Sequence, residues 1–166
     1  MWCTRSLGWT YHDTGDLQRA REIHERNLQR ARELGNPGIQ ATTLTVLGTI
    51  LIEEGRAEDA FPLLEEGYRV HLDLGESLEV ATDLSRFAAA LAAMGEAEQA
   101  VELSSLSDAL REELGARVPW VERLAEQTIT DVRGQLDPAR FEEAWERGRR
   151  LTPDDAVAMA TSVNQS

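Results

Sequence analysis

The feature that most constrains this chain is a repeat: shifted by 40 residues, the sequence falls back into register with itself. Gly15 aligns with Gly55 and Gly95, and Ala20 with Ala60 and Ala100. Leu34-Gly35 aligns with Leu74-Gly75 and Leu114-Gly115. Leu7-Gly8 aligns with Leu47-Gly48 and Phe87-Ala88, and Tyr11 with Leu51 and Leu91. A fixed period held over three copies means stacked supersecondary units sharing a continuous core.

Each unit reads as two helices. The first ends at Gly15, Gly55 or Gly95, where glycine suits the left-handed position that closes a helix. The second runs from about Leu17, Ala57 or Ala97 to the Leu-Gly pair. In the middle unit Leu44, Leu47 and Leu51, then Ala60, Leu63, Leu64 and Val70, recur at helical spacing. Asn36-Pro37 supplies an N-cap and a first-turn proline for the next helix. No stretch alternates long enough for a strand, so the pattern is all-α. Gly8, Gly48 and Ala88 lie mid-helix, where glycine costs about 1 kcal/mol against alanine. A close neighbour offsets that cost, and Ala20, Ala60 and Ala100 are the expected facing residues.

The segment LGWTYHDTGDLQRAREIHERNLQRA resembles the tetratricopeptide (TPR) repeat, through Leu7, Gly8, Tyr11, Gly15 and Ala20. TPR units usually take about 34 residues, so this unit is extended. His24, Leu64 and Ser104 replace the aromatic usual after the alanine column, and the proline usual at the unit end is missing. The resemblance implies a right-handed TPR-like helical-hairpin solenoid of about nine helices. Its repeats would be 1–35, 36–75 and 76–115, followed by a divergent hairpin at 116–151, a capping helix at 152–162 and a tail at 163–166.

The divergent end has its own signals. Val118-Pro119-Trp120 opens a helix striped by Val121, Leu124, Ile129 and Val132. Asp137-Pro138 and Thr152-Pro153 each pair a capping residue with a first-turn proline. The stretch FEEAWERGRRLTPDDAVAMA, Phe141 to Ala160, resembles the end of the helical-repeat region in large bacterial ATPase regulators, including LuxR-type transcription regulators. Phe141, Ala144, Trp145, Gly148, Arg149, Leu151, Asp155, Ala156, Val157 and Ala158 carry that likeness. It implies a signal-transduction architecture rather than an activity. The chain is then either a piece of such a regulator or a short protein keeping only the repeat block.

Composition narrows the chemistry. Thirty acidic residues against 17 basic ones give −13, which opposes nucleic acid and anionic membranes. All the basic residues are arginine, so a phosphate loop of the GxxxxGK-S/T type and a Schiff-base lysine are both excluded. The apolar stretch from Phe87 to Gly95 is too short to span a bilayer. A single cysteine, Cys3, fits a reducing, cytoplasmic setting.

No catalytic constellation emerges. His12, His24 and His71 form neither HExxH nor an i, i+4 pair, and a solvent-facing or groove-lining role fits His12 and His24 better than metal binding. Ser6, Ser85, Ser104 and Ser105 lack a nucleophile context and suit helix contacts. The acidic pairs, such as Glu53-Glu54 and Glu142-Glu143, read as solvated faces with helical ion pairs including Glu22-Arg26 and Glu143-Arg147. The chain is expected to be no enzyme, with no cofactor and no metal.

What remains is binding. In the TPR-like reading the first helix of each unit lines a concave groove for a peptide or partner helix. The resemblance puts Trp2, Arg5, Trp9, His12 and Asp13 there, then Thr42, Thr45, Thr49 and Ile52, then Thr82, Ser85, Ala89 and Ala92. The rival reading, and the favoured one, is that Trp2 and Trp9 stack on a neighbouring repeat or in the core. Arg5 is the sole groove cation, which disfavours a carboxylate clamp. The expected function is a non-catalytic protein-protein interaction module; the alternative is a small-molecule or peptide sensor domain of a transcription regulator. The first unit lacks a polar cap beside Trp2 and Trp9, which predicts self-association through the N-terminal repeat.

Overall fold

The computed structural model describes residues 15–163, and its ordered elements there are eight helices: α1 (Leu17–Glu33), α2 (Pro37–Glu53), α3 (Ala57–Asp73), α4 (Ser77–Met94), α5 (Ala97–Glu113), α6 (Pro119–Arg133), α7 (Pro138–Gly148) and α8 (Pro153–Val163). The sequence predicts about nine helices; the one expected before Gly15 lies outside the described residues.

The 40-residue unit divides into two equal halves. Gly15, Gly35, Gly55, Gly75, Gly95 and Gly115 fall every 20 residues, and each takes φ between 60° and 86°. That region is costly for a residue with a Cβ, so from Gly35 onward each of these glycines ends one helix and turns the chain. The helices between them, α1 to α5, are 17 or 18 residues long. Helix starts are secured locally. Asp16, Asn36 and Asp137 accept hydrogen bonds from the backbone N–H groups of Arg19, Ile39 and Arg140, satisfying donors that a helix N-terminus leaves open.

Helices α2–α3 and α4–α5 pack as hairpins, and α1–α2 and α3–α4 contacts join successive units. Along α4, every residue from Val80 to Leu91 except Ala89 is buried. This helix is therefore the axis of the core. Phe61, Tyr68 and Phe87 meet edge-to-face there, with centroids 5.6 and 5.7 Å apart, a favoured aromatic geometry.

Close approaches are made at glycines within helices. A Cβ on Gly48 would lie 2.6 Å from Leu64 Cδ2 and 3.5 Å from the Ala60 carbonyl oxygen. The seam is thus centred one turn beyond Ala60, on Leu64. Gly67 makes a second crossing: a Cβ there would meet the Ala41 carbonyl oxygen at 2.8 Å and Thr45 Cγ2 at 2.5 Å. Gly148 is the third, pressed against the backbone of Glu102, with Ser105 Cβ 2.7 Å from where its own Cβ would be.

That third crossing docks α7 on α5. Ser105 Oγ donates to the Trp145 carbonyl at 2.7 Å, Ala144 is fully buried, and Phe141 stacks on Trp145. Arg147 reaches Glu102 at 2.6 Å and Glu98 at 2.9 Å, while Arg140 also binds Glu98. The expected Glu143–Arg147 pair is therefore replaced by pairs between helices. Arg26 likewise donates to the Glu22 carbonyl oxygen rather than to its carboxylate. Finally, α8 folds back onto α3 and α4: Tyr68 Oη donates to the Pro153 carbonyl at 2.9 Å, and Ala156 joins the main core.

Candidate functional site

The first helices of the second and third hairpins, α2 and α4, carry the expected groove residues, and their burial divides them. Thr42 and Thr49 are half-buried, as are Ile52, Ala89 and Ala92. Thr45, Thr82 and Ser85 are buried. Thr45 turns toward α3, where its methyl packs over Gly67. Ser85 turns toward α5, with its Oγ 2.8 Å from Ser107 Oγ, which donates onward to the Ala81 carbonyl at 2.6 Å. Thr45 and Ser85 therefore serve the seams of their own hairpins. Trp2, Arg5, Trp9, His12 and Asp13 lie outside the described residues.

Beneath this face sits a buried polar cluster joining three helices. His71 on α3, Asp83 on α4 and Arg86 on α4 are 0%, 0% and 3% exposed. Nδ1 of His71 is 2.6 Å from Oδ2 of Asp83, whose Oδ1 accepts from the Arg86 guanidinium at 2.5 Å. On the other side of the ring, Nε2 lies 3.3 Å from Thr42 Oγ1 and 3.7 Å from a Glu76 carboxylate oxygen. The Thr42 hydroxyl also lies 3.0 Å from the Gly38 carbonyl, to which it can donate, leaving its oxygen free to accept from a protonated ring. The surroundings thus suit the imidazolium, with a donor on each ring nitrogen. Burial works against that charge, but the hydrogen bond and charge of Asp83, with Glu79 and Glu76 behind it, outweigh burial and raise the His71 pKa above its usual value.

Thr42, His71 and Asp83 have the order of a hydroxyl–imidazole–carboxylate relay, but not its chemistry. A general base must be neutral to take the hydroxyl proton. Here the raised pKa favours the charged imidazole, and the hydroxyl also faces a helical carbonyl. The cluster is a structural clasp between hairpins. Arg86 extends it to α6, its guanidinium lying 4.5 Å over the Trp120 ring, a cation–π contact. Burial also raises the Tyr68 pKa, aided by Asp83 and Asp154, so its hydroxyl stays a proton donor to Pro153.

His24 corrects the expectation of a solvent-facing or groove-lining ring, being 2% exposed. It shares the inner stripe of α1 with Ala20, Leu28 and Ala31 and occupies the column of Leu64 and Ser104, both also buried. The clasp itself had no motif to announce it. The only hint was an aspartate and an arginine, Asp83 and Arg86, one turn apart in a helix whose other charged residue, Glu79, lies in its first turn.

Two tetratricopeptide-repeat family models match the chain, one over residues 1–73 and one over 83–114. Together with the all-helical hairpins described above, they define the class: this is a TPR-like repeat protein. No curated protein and no solved structure gives a significant match. TPR repeats generally mediate protein-protein interaction, and no described helix is long and apolar enough to cross a membrane.

Proposed function

We propose that the chain is a non-catalytic, cytoplasmic interaction module of a bacterial signal-transduction ATPase regulator, binding a protein segment along the half-buried strip of α2 and α4. The observation that carries this reading is the run of repeats matched by the TPR models. The half-buried strip of Thr42, Thr49, Ile52, Ala89 and Ala92 offers methyl groups and few charges, as suits the apolar side of a partner helix. The link to ATPase regulators rests on the stretch from Phe141 to Ala160. Its Ala144, Trp145, Gly148 and Arg149 make the α5–α7 joint, through burial, Ser105, the Glu102 backbone and Glu112 respectively. A block that closes in this way suits a chain carrying partner recognition, with the nucleotide chemistry supplied elsewhere.

Site-specific photo-crosslinking tests the reading. A benzophenone amino acid at Thr49 or Ala92 should trap a discrete protein in cells, whereas the same group at Gln29 on α1 should not. Absence of a protein adduct at both strip positions, with adducts at Gln29, would overturn it.

A further inference from the structure

One edge of the repeat stack carries apolar surface that the fold does not use. Leu34, Leu74 and Leu114 are the C-cap residues of α1, α3 and α5, each directly before a left-handed glycine. They are 56%, 46% and 47% exposed, and Leu78, at the start of α4, is 39% exposed. Leu114, with Gly75 and Ser77 that neighbour Leu74 and Leu78 in the chain, lines a cavity of about 170 Å³ whose other walls include Leu72, Val80, Leu110 and Pro153. Ligand pockets for small molecules usually enclose about 300–1,000 Å³, so this one is sized for a single side chain. Recurring exposed leucines beside an open apolar hollow are a contact surface in waiting, because soluble chains seldom leave such patches uncovered.

Charge decides what covers it. Asp73, Glu76 and Glu79 flank Leu74 and Leu78, and Glu112 and Glu113 precede Leu114; Glu113 itself lines the cavity. Arg149 takes up Glu112 at 3.1 Å and buried His71 faces Glu76. Among the described residues, Asp73, Glu79 and Glu113 have no ion-pair partner. A second copy would bring the same acids and a net charge of −13, so like charges oppose a symmetric pairing here.

We propose that this edge docks a basic amphipathic helix of a partner protein, with one apolar side chain in the cavity and Arg or Lys against the acidic rim. The proposal rests on the reading of the chain as a protein-binding module and adds a second surface, with its own chemistry, to the α2–α4 strip. The capping helix completes the site, because Pro153 forms a wall and is held there by Tyr68.

The test uses a fluorescent amphipathic peptide built of Leu and Lys, its Glu-for-Lys counterpart, and the whole chain. Fluorescence anisotropy should show saturable binding of the Lys peptide and none of the Glu peptide. Leu74→Ser with Leu114→Ser, and separately Glu79→Gln with Glu113→Gln, should each weaken binding by roughly tenfold or more. Glu22→Gln with Glu25→Gln on α1, a matched change of charge away from the edge, should leave it unchanged. Equal affinity in all three double variants would mean diffuse attraction and would overturn the proposal, as would binding of the Glu peptide. Concentration-dependent self-association abolished by the leucine substitutions would assign the edge to a second copy and overturn it too. If the leucine variant keeps its crosslink from Thr49 while the peptide never binds, the edge fails and the module reading stands.

Discussion

Asp83 holds His71 across the junction between the second and third hairpins, carboxylate oxygen to Nδ1 at 2.6 Å, with both side chains fully buried. Both are ionic groups taken into the core, and the two residues belong to different repeats. Breaking it should loosen the stack as a whole rather than one helix.

The first consequence is a pH dependence. The His71 pKa is raised in the folded chain, so the native state holds a proton that the unfolded state releases from about pH 6.5 upward. Stability is then highest below that value and falls as pH rises through the folded pKa. Urea unfolding across this range should show the decline, and His71→Gln should remove most of it. A flat profile in the parent chain would contradict the charged clasp. Asp83→Asn leaves His71 and Arg86 buried without their shared anion and should cost about 3–5 kcal/mol.

Helix crossings provide a second test. At an ordinary helical site Gly→Ala stabilises by roughly 0.5–1 kcal/mol. At Gly67 the new methyl meets a backbone carbonyl at 2.8 Å, which cannot rotate away. Gly67→Ala should therefore destabilise by about 1–3 kcal/mol. Ala60→Leu, at a fully buried position, should do the same. A rise in melting temperature for Gly67→Ala would show that α2 and α3 are not so close.

The repeat was legible in the chain because its left-handed turns demand glycine, and glycines at 20-residue spacing remain visible however the rest varies. The helix starts at Asn36, Asp137 and Thr152 were legible for the same reason, since a cap is decided by its own few residues. The seams were harder to read. Gly67 has no counterpart at the same place in the neighbouring units, where Asn27 and Ser107 stand. The faces of Thr45 and Ser85 depend on how far each helix is rotated against its partner. Residues 12 apart made the His71–Asp83 clasp, and only the packing of α3 against α4 brings them together.

The capping helix gives a third prediction. Thr152 Oγ1 accepts from the Asp155 N–H at 3.2 Å, and Asp155 accepts from the Thr152 N–H at 2.8 Å, a reciprocal cap. The Thr152 hydroxyl and N–H together lower the Asp155 pKa, so the cap is intact above the usual carboxylate range and is lost as pH falls through the lowered value. Thr152→Ala should speed amide exchange in α8 while leaving α2 protected. Tyr68→Phe should cost about 0.5–1.5 kcal/mol through its lost bond to Pro153. Unchanged exchange in α8 for both variants would mean that these contacts do not hold it.

The central claim is that this repeat block works by holding another protein, and a titration of purified components tests it most directly. Calorimetry of the chain with the partner trapped at Thr49 should give saturable, stoichiometric binding with a negative heat-capacity change from apolar burial, weakened by Thr49→Arg. No heat with that partner, beside saturable binding of a small molecule or a nucleic-acid duplex, would contradict the account.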